Sequence, residues 1–416
     1  MIEVVNLEEL CTGIIDCPHS TPKWQDKGIP VIRNYNLKDG KIDCTNLSFV
    51  SEEGYKERVK RAIPEESDII ISREAPMGVV GIVPKGFQCC LGQRLVLLKI
   101  DKSKCLPKYL LYTLMSEYVQ LQIQRINRTG SIVSNLNISS LRELKIPLHS
   151  FEEQRKIANI LSAIDDKIQT NNQINQELEA IAKTLYDYWF VQFDFPDQNG
   201  KPYKSSGGKM VYHPEHKREI PEGWGVETLK DFESEIITGK TPSRANSDNF
   251  GGEIPFITIG DIRGNTFIYN TSETLTDLGA SVQQNKYLPE GSLCVSCIAT
   301  VGEIGFTTEW SHTNQQINSI VFEDETNRYY LYFALKNYFE NANASAKTGN
   351  TFANMNKEDF SGIRIILPRN EIKNNFHKIT EPYFAQIKCL QGQNKELTQL
   401  RDWLLPMLMN GQVKVE

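Results

Sequence analysis

The sequence predicts an α+β protein: two similar mixed α/β domains separated by two long helices packed as an antiparallel coiled coil. Three observations predict it. The chain repeats itself in its second half. Each copy opens with short β-type runs punctuated by Gly and Pro, and each closes on a long stretch with helical apolar spacing.

The repeat is read residue by residue. Ile29-Pro30-Val31-Ile32, leading through Asn36-Leu37 to Gly40, returns as Ile254-Pro255-Phe256-Ile257, leading through Asp261-Ile262 to Gly264. Gly78 and Gly81 return as Gly302 and Gly305, Thr129-Gly130 as Thr348-Gly349, and Glu177-Leu178 as Glu396-Leu397. The offset drifts from 225 to 224 to 219, as loop insertions and deletions would make it. A period this long is a duplicated module, since solenoid units run to about 20–50 residues.

The strand-rich part of each copy comes first. Asp68–Ser72 and Leu95–Ile100 are β-type runs, matched by Ser292–Ser296 and Ile317–Phe322. A helix from Pro107 to Ile123 matches Tyr329 to Phe339. Residues 151–190 then contain no Pro or Gly. Their apolar seam runs Ile157, Leu161, Ile164, Ile168, Asn171, Ile174, Leu178, Ile181, Leu185 and Tyr188, in steps of mostly four and three. The second copy runs Ile372, Phe376, Ile379, Tyr383, Ile387, Leu390, Asn394, Leu397, Leu400 and Leu404, with Asn394 where the first has Asn171. A polar residue in such a seam fixes register. Pro382 is expected to kink this helix or begin its continuous part, and Pro406 and Gly411 mark its end. About forty helical residues span roughly 60 Å, longer than one domain's core needs, so the two helices are expected to pack on each other. The expected organisation is domain 1–150, helix 151–190, a Gly/Pro-rich linker 191–219, domain 220–368 and helix 369–410.

The composition narrows the function. No apolar run approaches the roughly 18 residues that span a bilayer, and the start lacks a secretory pattern. Nine cysteines at irregular spacings fit a reduced cytoplasmic protein. Net charge is −6 overall, +3 over residues 1–150 and −9 over 220–368. Nucleic-acid binders usually carry a basic footprint, so any DNA binding here needs phosphate contacts shared with a partner.

Catalytic patterns fail on inspection. Pro196-Asp197 with Glu215-His216-Lys217 mimics a nuclease spacing, but both pieces lie in the linker and have no repeat counterpart. Gly207-Gly208-Lys209 lacks the preceding Gly of a phosphate loop, because Tyr203 stands there, and Met210 replaces the Ser/Thr. Cys294 and Cys297 have no second ligand pair and read as packed thiols. No metal site is expected.

The chain resembles the specificity subunit of a type I restriction–modification enzyme. Leu400-Arg401-Asp402-Trp403-Leu404-Leu405-Pro406-Met407 through Gly411 looks like that family's closing signature, and Trp189-Phe190-Val191-Gln192-Phe193 like its central one. Gly239-Lys240-Thr241-Pro242-Ser243-Arg244 looks like the start of a target-recognition domain, with a looser version in Asp16–Lys23. The resemblance covers the whole chain. It implies two target-recognition domains, each reading half of a split double-stranded DNA target, with the helices setting the gap. It implies a non-catalytic chain that recruits two methyltransferase subunits using S-adenosylmethionine, and restriction subunits using ATP and Mg²⁺. The chain itself is expected to hold no cofactor.

Bases are read by side chains reaching groove edges, Arg suiting guanine and Asn or Gln adenine. The candidates near repeat-matched loops are Lys23, Asn34, Tyr35, Arg73, Gln93, Arg94, Arg128 and Ser131 in the first copy. In the second they are Lys240, Ser243, Arg244, Asp261, Asn314, Gln315, Gln316, Lys347 and Asn350. A helix of roughly 60 Å caps the spacing between half-site centres near 17 base steps, and one groove face favours about 10. The competing classes are a stand-alone DNA-modifying or -cleaving enzyme and a scaffold that binds no DNA.

Overall fold

The computed structural model describes residues 2–128, 135–215, 217–233, 235–346 and 354–413. Two compact units emerge, Met1–Ile168 with Leu397–Glu416, and Gln169–Glu396. Both long helices cross the division, so each unit contains a part of each.

In the first unit a four-stranded antiparallel sheet has the order Cys11–Asp16, Leu95–Ile100, Ile69–Ser72, Val80–Ile82. Its central strands are apolar at nearly every position because both faces are covered. Strand alternation sorts them. Ile69, Ile71, Val96 and Leu98 enter one core with Tyr109, Leu110 and Leu114, while Ile70, Leu95 and Leu97 enter another with Ile32 and Cys89. The second unit repeats the order as Ile236–Thr238, Ile317–Ile320, Leu293–Ser296, Ile304–Thr307, and adds Phe267–Ile268 at the edge. Here too Leu293 and Val295 face one core and Cys294 the other.

A smaller sheet in each unit includes a parallel pair. Ile29–Ile32 runs beside Cys90–Leu91, and Phe250–Ile257 beside His312–Thr313. Each unit also closes on an antiparallel pair before a long helix, Glu3–Asn6 with Lys145–Leu148 and Gly225–Thr228 with Arg364–Leu367. Matching tyrosines lock those pairs. Tyr109 Oη donates to the Pro147 carbonyl at 2.6 Å, and Tyr330 Oη donates to the Ile366 carbonyl.

The long helices are Phe151–Tyr186, continued by a wider turn at Asp187–Val191, and Asn370–Met409. The second runs unbroken through Pro382 and Pro406. Within the second unit they pack antiparallel: Asn171 meets Asn394, while Tyr186 meets Phe376 with ring centroids 6.2 Å apart. Within the first unit Asp165 pairs with Arg401 at 3.0 Å, and Ile157 lines one cavity with Leu408.

Three sequence expectations change. The helix expected over Pro107–Ile123 is two, Pro107–Met115 and Glu117–Arg128, because Ser116 is extended and its hydroxyl donates to the Thr113 carbonyl at 2.6 Å. In the seam, Ile181, Tyr188, Ile379 and Leu400 are exposed, while Ala182, Tyr186, Thr380 and Phe384 are buried. The helices also face the cores of their units, so the buried stripe steps by four where a two-helix seam would step by three. Finally, residues 191–219 do more than connect: Phe193 and Phe195 enter the second unit's core against Trp224, and Met210–His213 pairs with Arg218–Pro221.

Candidate nucleic-acid interface

The parallel pairs place two loops side by side in each unit, because both strands end in the same direction. In the first, Gly92 N–H donates to the Ile32 carbonyl at 2.7 Å, which sets residues 33–36 beside 92–94. In the second, Asn314 N–H donates to the Ile257 carbonyl at 3.2 Å, which sets 258–262 beside 314–316. A third loop joins each pair. Gln93 Nε2 donates to the His19 carbonyl and lies 3.5 Å from Thr21 Oγ1. Lys240 N–H donates to the Thr313 carbonyl at 3.0 Å, and Thr241 Oγ1 donates to Gln315 Oε1 at 2.5 Å. This approach demands glycine before Lys240: a Cβ on Gly239 would stand 2.2 Å from the Asn314 carbonyl oxygen.

The structure gathers most first-unit candidates here. Lys23 is exposed, and Tyr35 is exposed with its hydroxyl 3.4 Å from Ser48 Oγ. Asn34 Nδ2 donates to the Ala75 carbonyl at 2.5 Å, and Gln93 holds the 19–21 loop. Arg94, at φ +67°, pairs with Glu74 at 3.1 Å. Arg73 is nearly enclosed: its guanidinium binds both Asp16 oxygens at 2.9 Å, the Leu136 carbonyl and Asn135 Oδ1. Those bonds shape the loop and leave Arg73 few donors for a base. Arg128 lies at the end of its helix, and its side chain, like Ser131, lies outside the described residues.

In the second unit Lys240, Ser243, Arg244, Gln315 and Gln316 share one loop cluster. Arg244 forks onto Glu273 with two bonds of 2.8 Å and lies over the Phe250 ring. That hydrogen bond holds the Glu273 carboxyl below its usual range. Asn314 is buried and braces Gln316, its Oδ1 accepting from Gln316 N–H at 2.9 Å. Asp261 is a helix cap: its Oδ2 accepts from the Thr258 N–H and hydroxyl, both at 2.7 Å. Its repeat partner Asn36 does the same, accepting from Arg33 N–H at 3.0 Å. Lys347, Asn350, Thr348-Gly349 and Thr129-Gly130 lie outside the described residues.

Sequence reasoning missed three features of these clusters. Arg58 is buried and donates to the carbonyls of Leu91, Ser20 and Pro18, holding 18–20 against 91–93. Arg33 lies between two exposed rings, 5.3 Å from the Trp24 centroid and 4.8 Å from that of Tyr35. A tight hairpin bend is duplicated: Ser72 Oγ donates to the Pro76 carbonyl and accepts from Val79 N–H, as Ser296 Oγ does with Thr300 and Glu303. Both bends hold an exposed alanine at positive φ, Ala75 at +45° and Ala299 at +66°. The repeat signal covered the serines and alanines, while the arginines have no repeat counterpart of the same type.

Among the described residues no group of three or more His, Cys, Asp or Glu is placed to hold a metal. Cys294 and Cys297 point into different cores, and burial pushes their thiols up to about 12 and about 11. Asp197 caps its own turn and Glu215 pairs with Arg364, so the nuclease-like acids do not converge. The clusters offer cationic forks, amides and ordered loop backbone, the chemistry of recognition.

The family described as the type I restriction modification DNA specificity domain matches residues 2–180 and again 221–399. The chain belongs to that family. As a member of the specificity family it is a DNA-recognition subunit and not itself the catalyst. It is 34% identical over 363 residues to the type I restriction enzyme HindI specificity subunit of Haemophilus influenzae, covering 74% of this chain and 78% of the relative. It is 28% identical over 373 residues to the MjaIX specificity subunit of Methanocaldococcus jannaschii, covering 88% and 82%. A crystal structure of the type I restriction–modification system S subunit from M. genitalium shares the fold, at 16% identity and a TM-score of 0.51 over 98% of this chain and 96% of that one.

Proposed function

We propose that each unit of this specificity subunit reads one half of a split double-stranded DNA target. Lys23, Asn34, Tyr35, Gln93 and Arg94 are the reading side of the first unit, and Lys240, Ser243, Arg244, Gln315 and Gln316 that of the second. The duplicated three-loop cluster carries this reading, because both units hold their polar loops by the same backbone scaffold while the side chains differ. The chain docks two methyltransferase subunits and the restriction subunits. S-adenosylmethionine, ATP and Mg²⁺ belong to those partners, and this chain holds no cofactor of its own. The acidic second unit fits that division, since phosphate contacts supplied by partners would offset its charge. The complex acts in the cytoplasm; no described helix is long and apolar enough to cross a membrane.

Methylome sequencing of a host carrying the system tests the reading. A methylated motif in two parts with a fixed gap supports it, and a single contiguous motif overturns it. Filter binding of DNA with and without the methyltransferase subunits tests the scaffold alternative, which predicts no sequence-specific retention in either case.

A further inference from the structure

We propose that Arg33 reads a guanine in the half-site taken by the first unit. The proposal rests on the DNA-recognition reading above and names one contact within it.

Arg33 follows Ile32 at the end of the parallel pair, where the three loops meet. Trp24 follows the loop that carries His19 and Thr21, and Tyr35 lies in Arg33's own loop. The arginine stem passes the 92–94 loop, its Cγ 3.3 Å from where a Cβ on Gly92 would stand. The two rings are 44% and 46% exposed, so the clamp lies at the surface. Rings on the guanidinium attract it through their faces and fix its plane. They take none of its N–H groups, which lie along its edge.

Two other arginines of this cluster are committed, Arg58 to three carbonyls and Arg73 to Asp16, while Arg94 shares the reading side with an ion pair from its Nε to Glu74. Among the described residues no carboxylate or carbonyl accepts from the Arg33 guanidinium. A planar donor edge, held in one orientation and left unsatisfied, matches the paired O6 and N7 acceptors of guanine in the major groove. A phosphate would also accept this planar fork, and the two contacts differ in readout: loss of a phosphate contact weakens binding uniformly across sequences, loss of a guanine contact relaxes one position. In the second unit the register Ile32 to Ile257 puts Thr258 at this position, so the contact belongs to one half-site only.

The test uses the full chain in its restriction–modification system, with Arg33→Gln and Arg33→Lys, read by methylome sequencing. The wild-type motif should contain a guanine in one half-site. Both variants should relax discrimination at that guanine roughly ten- to a hundredfold, with the gap and the other half-site unchanged. Three results would overturn the proposal: no guanine in the affected half-site, an unchanged motif in Arg33→Gln, or guanine discrimination retained in Arg33→Lys. In the last case, a salt dependence of binding in Arg33→Gln that falls by about one marks a phosphate contact instead. If Arg33→Gln abolishes all methylation, Arg33→Lys decides, since it keeps the charge and most of the stem. An intact two-part motif in any strain preserves the recognition reading when the Arg33 contact fails, whereas a contiguous wild-type motif sinks the recognition reading itself.

Discussion

Thr241 Oγ1 donates to Gln315 Oε1 across two loops separated by 74 residues in sequence, and the first unit sets Thr21 Oγ1 and Gln93 Nε2 against each other in the same place. The threonine hydroxyl is the constant partner. It aims a glutamine amide, and which end of that amide it engages differs between the units. In the second unit the hydroxyl occupies the oxygen and leaves the NH₂ free to donate. In the first, the NH₂ is turned to the His19 carbonyl and Thr21.

Thr241→Val should therefore release Gln315 without unfolding the unit. Both groups are near the surface, so the stability change should stay within about 0.5 kcal/mol by denaturant melting. Methylome sequencing should show a weaker preference at one or two positions of the second half-site only. A change in the first half-site would refute the assignment.

The amide pair of the second unit, Asn171 buried and Asn394 half-buried, makes a sharper thermodynamic case. Asn171 Nδ2 donates to Asn394 Oδ1 at 2.9 Å, and Asn394 Nδ2 donates to Asn172 Oδ1 at 2.8 Å. Asn394→Leu leaves the buried Asn171 amide facing carbon and should cost about 1–3 kcal/mol, while Asn171→Leu should cost less because Asn394 keeps its bond to Asn172. The double change should recover most of that loss in a urea or guanidinium titration. Strictly additive single and double values would show that the two amides are not coupled.

His312 predicts an acid-sensitive second unit. It is buried, stacks on Tyr287 at 4.7 Å, and burial lowers its pKa to about 4. Folded, the ring is neutral over most of the acid range, while in the unfolded chain it protonates below about 6.5. Unfolding then takes up a proton, so this group's stability contribution is intact above about 6.5 and falls as the pH drops toward 4. His312→Phe keeps the stack and removes the titration. Its melting temperature should decline less than wild type between those pH values, and parallel curves would contradict the assignment.

Removing one heptad from each long helix should shorten the gap in the methylated motif and leave both half-sites as they were. The helices of 36 and 40 residues are about 54 and 60 Å long, enough to act as a spacer. An unchanged gap would dismiss the spacer role.

The architecture was legible wherever a period or the repeat carried it. The β-type runs Asp68–Ser72 and Leu95–Ile100 announced strands, and the apolar steps from Ile157 onward announced helices. What stayed hidden was tertiary. Nothing local to Ser116 says that it divides a helix. Tyr186 and Phe384 sit off the named seam because they also answer to the core of the second unit. At the site, the repeat located the loops but could not say which side chains were free. Arg73 meets Asp16 from 57 positions away, and Asp261 caps a turn that its own neighbours build. Arg33 was not among the candidates, because the ring of Trp24 reaches it only in the folded chain.

One consequence concerns the order in which the chain is made. The first unit's core contains Leu405, Leu408 and Met409, and Thr113 donates to the Met409 sulfur at 3.3 Å. During synthesis, residues 2–168 therefore leave the ribosome with one wall of their interior missing. Ile157, Ala158 and Leu161 have to wait, uncovered on that side, while all of Gln169–Glu396 is translated. The half of the protein that is born first is the half that is finished last.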